Sequence, residues 1–226
     1  MKRTLLFTLL LAIAPWSMGD MYVDKSIVTF EPGDAPRQDV RVSNSSEDVM
    51  YVQVEAFAVE NPGAPEESRV KITNPQTHKL VASPNKLVVP PGGQKLVRIL
   101  NLDPKSTEER VFRINITPVV PPLQEETSQL RIVVAYQVLT IIQPAEPYSK
   151  LEVSRTGNKV VFTNQGNTNV LLSDGRQCSL SDPTTCEALN SQRLYAGNTW
   201  ALDLPFNAPL SYSVRSFDGI KNEVFP

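Results

Sequence analysis

One histidine, His78, and two cysteines, Cys178 and Cys186, are all the soft-metal and imidazole chemistry that the 226 residues carry. Zinc sites and Ser–His–Asp triads need several such side chains converging on one point, so neither is read here. Basic runs are missing as well. The formal net charge is −2 at pH 7, which excludes the electrostatic footprint of a nucleic-acid binder. No glycine-rich loop opens a helix to cradle phosphate; Pro90-Pro91-Gly92-Gly93 has the chemistry of a hairpin turn. Acidic pairs occur at Glu66-Glu67, Glu108-Glu109 and Glu125-Glu126. Adjacent carboxylates beside turn residues make solvated surface, not the opposed pair that acid–base work requires. The chain therefore reads as a non-enzyme with no cofactor and no metal.

A second apolar run of membrane-spanning length is also lacking, so no stable membrane insertion is expected. The one N-terminal run has the make-up of a secretory signal: Lys2 and Arg3, then apolar Leu5 to Ala14, then the small residues of Ser17-Met18-Gly19. Cleavage after Gly19 sets residues 1–19 apart as the signal peptide. Export brings an oxidising compartment, where Cys178 and Cys186, close together in a loop-like stretch, are expected to pair as a disulfide.

What the chain does hold is a succession of strand signals. Candidate strands are Val23–Phe30, Asp39–Ser43, Met50–Phe57, Lys86–Val89, Gln94–Leu100 and Arg110–Pro118, punctuated by turns such as Glu31-Pro32-Gly33 and Asn61-Pro62-Gly63. A second group follows near Lys150–Arg155, Lys159–Thr163, Val170–Ser173, Ser191–Tyr195, Thr199–Leu204 and Leu210–Ser216. Helical periodicity of useful length is missing. The fold class is all-β: two immunoglobulin-like sandwiches, residues 20–143 and 144–226, set at an angle with a cleft between them. Pro144-Ala145-Glu146-Pro147 is a short, stiff linker that keeps them together.

The segment Gln129 to Gln143, QLRIVVAYQVLTIIQ, is long for a strand and free of Gly and Pro. By the period of two, Leu130, Ile132, Val134 and Tyr136 share one face. Such a strand either lies deep in its own sheet or lends part of itself to another protein. Val133, Ala135, Leu139 and Ile141 are assigned to the domain's own core.

In order and spacing, several pieces resemble the periplasmic chaperones of the bacterial chaperone–usher pilus pathway. They are Asp24 to Phe30, Val40-Arg41-Val42-Ser43-Asn44, Leu87 to Gln94 with Leu96-Val97-Arg98-Ile99, and Phe112-Arg113-Ile114-Asn115-Ile116 leading to Pro121-Pro122. The resemblance implies a periplasmic protein that binds pilin or adhesin subunits. It would complete their sheet with a donor strand and deliver them to an outer-membrane usher. By position, Leu130, Ile132, Val134 and Tyr136 become the subunit-binding donor residues. A free chaperone that self-associates to cover this strand is a further expectation. The competing reading is a secreted two-domain immunoglobulin-like adhesin or structural pilus component.

Most members of that family hold the pilin's terminal carboxylate with an Arg on the first strand and a Lys on the last; the matching positions here are Ile27 and Leu139. Arg113, ranked first, Arg98 and Lys25 are the candidate replacements. Glu109 and Asp218 match acidic residues of an interdomain ion network, with Gln143 where the arginine closing it usually stands. These departures, with the cysteine pair, resemble the alternative or archaic branches of the family.

Overall fold

Alternation decides which strand buries which face. In Arg110–Val119, Phe112, Ile114 and Ile116 are buried while Arg113 and Asn115 between them are half-buried on the opposite side. A computed structural model of the chain describes residues 21–119 and 133–226.

The first sandwich packs two sheets face to face. One is ordered β1 (Met21–Val23), β3 (Arg37–Asn44), β8 (Gln94–Asn101), β6 (Leu80–Ser83); the other is β2 (Ile27–Phe30), β10 (Tyr136–Ile142), β9 (Arg110–Val119), β4 (Met50–Glu60), β5 (Ser68–Lys71), with β7 (Lys86–Val89) also paired to β4. A single helical turn, α1 (Pro75–His78), caps the connection into β6. The inner faces supply one core that includes Val28, Phe30, Val40, Val42, Val54, Val97, Ile99, Ile114, Ile116, Val138 and Ile142. Burial of each such aliphatic side chain is worth about 1.5–3 kcal/mol.

Two strands expected as one are separate. Val23–Phe30 breaks at Asp24–Ser26, so β1 joins the β3 sheet while β2 crosses to pair with β10. The Asp24 carboxylate accepts from the Arg41 amide at 2.7 Å and holds the crossing in place. Short strands β5 and β6 carry weak alternation, so the sequence pattern does not announce them.

The second sandwich sets β11 (Leu151–Thr156), β12 (Lys159–Asn164) and β16 (Thr199–Asp203) against β14 (Cys186–Leu189), β13 (Val170–Cys178), β17 (Leu210–Ser216) and β18 (Gly219–Phe225), with β15 (Gln192–Leu194) on β13. Its core is aromatic. The Phe162 ring meets Tyr212 and Phe225 edge-on at 5.7 and 5.3 Å and stacks with Trp200 at 5.7 Å. β13 outruns its predicted end at Ser173, passing through a bulge between Ser173 and Arg176. Gly175 sits in that bulge against the Tyr212 ring, where a Cβ would collide with it. Cys178 and Cys186 face each other across β13–β14 and are disulfide-bonded, with Cα atoms 4.0 Å apart.

Candidate functional site: the edge and foot of the last strand of the first sandwich

β10 changes surroundings along its length. From Leu139 to Ile142 it lies between two neighbours, parallel β2 and antiparallel β9. The Leu139 amide donates to the Ser26 carbonyl at 2.9 Å, where this second ladder starts. Tyr136 to Val138 pair with Ile116 to Ile114 of β9 alone, so among the described residues their other edge is open. An open edge is a row of unmet backbone donors and acceptors. Upstream, Val133, Val134 and Ala135 are exposed and outside any strand. Val133 and Ala135 thus do not join the core as expected, since the sandwich ends below them.

Leu130 and Ile132 lie outside the described residues. Val134 is 44% exposed, consistent in position with a residue offered to solvent or to a partner. Tyr136 is engaged at home. It is half-buried against the first core, and its hydroxyl donates to the Met21 carbonyl at 3.0 Å. It shares a face with Val134 by parity, yet it reaches inward because the sandwich closes over that level of the strand.

The outer face at the foot of this edge forms a cross-strand row: Ile27, Leu139, Arg113, Phe57 and Lys71, on β2, β10, β9, β4 and β5 in turn. Leu139 and Ile141 are buried, but not in the main core. With Val59 and Val111 they form a separate apolar cluster against Tyr195 of the second sandwich. Burial there pushes the Tyr195 hydroxyl above its ordinary value. Lys71 pairs with Glu55 at 2.5 Å, and that hydrogen bond holds the Glu55 carboxyl below the usual range. Arg113 is half-buried beside Leu139, and its buried Nε has no hydrogen-bond partner among the described residues.

The other two candidate cations are placed elsewhere. Arg98 makes a two-point ion pair with Asp39 at 2.9 and 3.2 Å on the opposite sheet, lowering the Asp39 carboxyl. Lys25 donates from Nζ to the Asp39 carbonyl at 3.1 Å. Only Arg113 of the three stands in the Ile27–Leu139 row.

Glu109 ties the two sandwiches together. Its Oε2 accepts from Thr168 Oγ1 at 2.8 Å, the Asn169 amide at 3.0 Å and Asn169 Nδ2 at 2.5 Å. Arg193 donates in turn to Asn169 Oδ1. Burial lowers the Arg193 guanidinium below its ordinary value, and the positive charges of Arg215 and Arg113 act in the same direction. Asp218 is not brought to Glu109. It lies in the exposed turn between β17 and β18, where its amide donates to Ser216 Oγ. The distance in the fold separates two residues that the resemblance had joined. Asn169 and Arg193 were missed because polar residues in a connecting loop and a short strand carry no periodic signal. A second link is Asn198 Nδ2 to the Pro62 carbonyl at 2.8 Å. Gly63 (φ +74°) lets the loop approach, since a Cβ there would strike Asn198 and Tyr195.

Two immunoglobulin-like sandwiches, joined through hydrogen bonds and an apolar cluster beside a half-open strand, define the class of two-domain assembly chaperones. The chain belongs to the pili and flagellar-assembly chaperone family, whose PapD N-terminal domain matches residues 20–147. It is similar to a CFA/I fimbrial protein of Escherichia coli, 29% identical over 194 residues covering 81% of each chain. A CS1 fimbrial protein of Escherichia coli is 26% identical over 191 residues, 80% of this chain and 79% of the other. In fold it is similar to the class 5 fimbriae chaperone CfaA, with TM-score 0.67, 23% identity, and coverage of 91% and 99%. A chain from the Salmonella enterica SafA pilin–SafB chaperone complex gives TM-score 0.63 at 16% identity, covering 92% and 96%.

Proposed function

We propose that the protein is a periplasmic chaperone that captures pilin or adhesin subunits by lending them the upper part of β10, and then passes them to an outer-membrane usher. The open edge of Tyr136 to Val138 carries this reading, because it leaves main-chain donors and acceptors at the place where the strand continues toward Val134, Ile132 and Leu130. A pilin lacking its own last strand gains a ladder from this edge and fills its groove with alternate side chains. Three such aliphatic anchors contribute about 1.5–3 kcal/mol each. Tyr136 then acts as the root of the lent segment rather than its fourth anchor. Arg113 receives the pilin's terminal carboxylate, its free Nε pointing to an acceptor that the chaperone itself does not supply. The related complex of SafA pilin with the SafB chaperone supports pilins as the partner class.

Co-expression with a cognate pilin, followed by affinity purification of the chaperone, tests the reading. Wild type brings down the pilin at one-to-one stoichiometry, whereas Ile132→Asp, folded by circular dichroism, brings down none. Equal recovery with the variant rules out the donor assignment.

A further inference from the structure

A second open edge lies in the other sandwich. β18 is the terminal strand of its sheet, paired only with β17 among the described residues. Ile220, Lys221, Asn222 and Val224 along it are all exposed. The β17–β18 hairpin closes on the Ser216–Gly219 pair, after which antiparallel pairs alternate between hydrogen-bonded and non-hydrogen-bonded. Lys221, Glu223 and Phe225 therefore bond back to β17. The N–H and C=O groups of Ile220, Asn222 and Val224 point away from the sheet.

The sequence of this edge is self-complementary. In Ile220-Lys221-Asn222-Glu223-Val224, a two-fold axis through Asn222 sets a second copy antiparallel. Ile220 then faces the other Val224, Lys221 faces the other Glu223, and Asn222 faces itself. The faces agree too: Lys221 and Glu223 stand opposite the buried Val214 and Tyr212, whereas Ile220, Asn222 and Val224 lie on the outer side opposite Arg215, Ser213 and Ser211. Backbone parity is also met, because every outward-pointing residue meets an outward-pointing residue. An edge lysine normally discourages strand pairing. Here a glutamate two residues on neutralises it in this register, while a shift by one residue either way sets apolar residues opposite charged ones.

We infer that two copies of this chain associate through β18, joining their second sandwiches into one continuous sheet and leaving the β10 edge free. The seam is short, well under the roughly 800 Å² per partner of a standard interface, so the dimer forms only at high local concentration.

Sedimentation velocity of the mature full chain, from about 10 µM to about 1 mM, spans the range where weak association is seen. Wild type should shift toward twice the monomer mass with rising concentration. Glu223→Lys and Lys221→Glu should each reduce the association at least tenfold, by facing like charges, and the Lys221→Glu/Glu223→Lys double variant should restore it. Asn222→Pro provides a check with an intact hairpin, since that amide is not used within β17–β18, and it should stay monomeric. A wild-type chain that is monomeric throughout overturns the inference. So does an association that persists in the single variants and Asn222→Pro but disappears in Ile132→Asp, which would place the contact on β10.

Discussion

Leu139 stands directly opposite Ile27 in the β10–β2 ladder, and on its other side directly opposite Arg113 of β9. The two positions that resemble the family's paired cations are thus neighbours in space, and both are apolar. Leu139 is 7% exposed and packed with Val59, Val111, Ile141 and Tyr195. An ammonium there would be desolvated next to a guanidinium, a costly arrangement. The positive charge is carried one strand over instead.

Arg113→Ala is therefore expected to weaken pilin capture without weakening the fold. Truncating one side of a desolvated charge pair costs about 2–5 kcal/mol, or at least about thirtyfold in affinity. Biolayer interferometry with a pilin ending in a free carboxylate measures the loss, and amidating that terminus should reproduce it in wild type. A fall in Tm of more than about 5 °C would instead mark Arg113 as part of the scaffold.

Glu109→Ala should uncouple the two sandwiches. It removes the acceptor shared by Thr168 and both nitrogens of Asn169, hydrogen bonds to a charged group worth about 1.5–3 kcal/mol each. Scanning calorimetry is expected to show one endotherm for wild type and two for the variant. One endotherm merely displaced to lower temperature would mean that the apolar cluster under Tyr195 suffices for coupling.

Tyr212 gives the second sandwich an alkaline limit. Burial pushes its hydroxyl from 10.0 up to about 12, and that hydroxyl donates to the Asn190 carbonyl at 2.9 Å. A raised value in the folded state means that the contribution is complete below pH 10 and is lost as pH climbs through about 12. Tyr212→Phe should lose about 1 kcal/mol at neutral pH yet show a shallower fall of Tm between pH 10 and 12. Parallel slopes for the two proteins would remove Tyr212 as the cause.

Much of this was legible in the chain because apolar alternation and turn residues encode sheets directly. Long strands such as β4 and β9 were found close to their true limits. Val23–Phe30 was misjudged since a crossing between sheets preserves the apolar run; only the pairing of Asp24 with the Arg41 amide reveals the break. The positions of Ile27, Leu139 and Arg113 were identified one by one, but their adjacency is a matter of register, which no local pattern contains. The same holds for Arg98 and Lys25, both of which converge on Asp39. Leu139 and Ile141 were read correctly as buried and wrongly as to what buries them, because the covering residue, Tyr195, comes from the other sandwich.

The clamping of β10 between β2 and β9 from Leu139 onward has a mechanical meaning. Tension applied to the strand's upstream end runs along its axis, so both lower ladders are loaded in shear, all their hydrogen bonds sharing the force together. Contacts along a single open edge can instead give way one after another. A partner drawn off that edge would therefore part from it link by link while the lender stays intact, ready for another round.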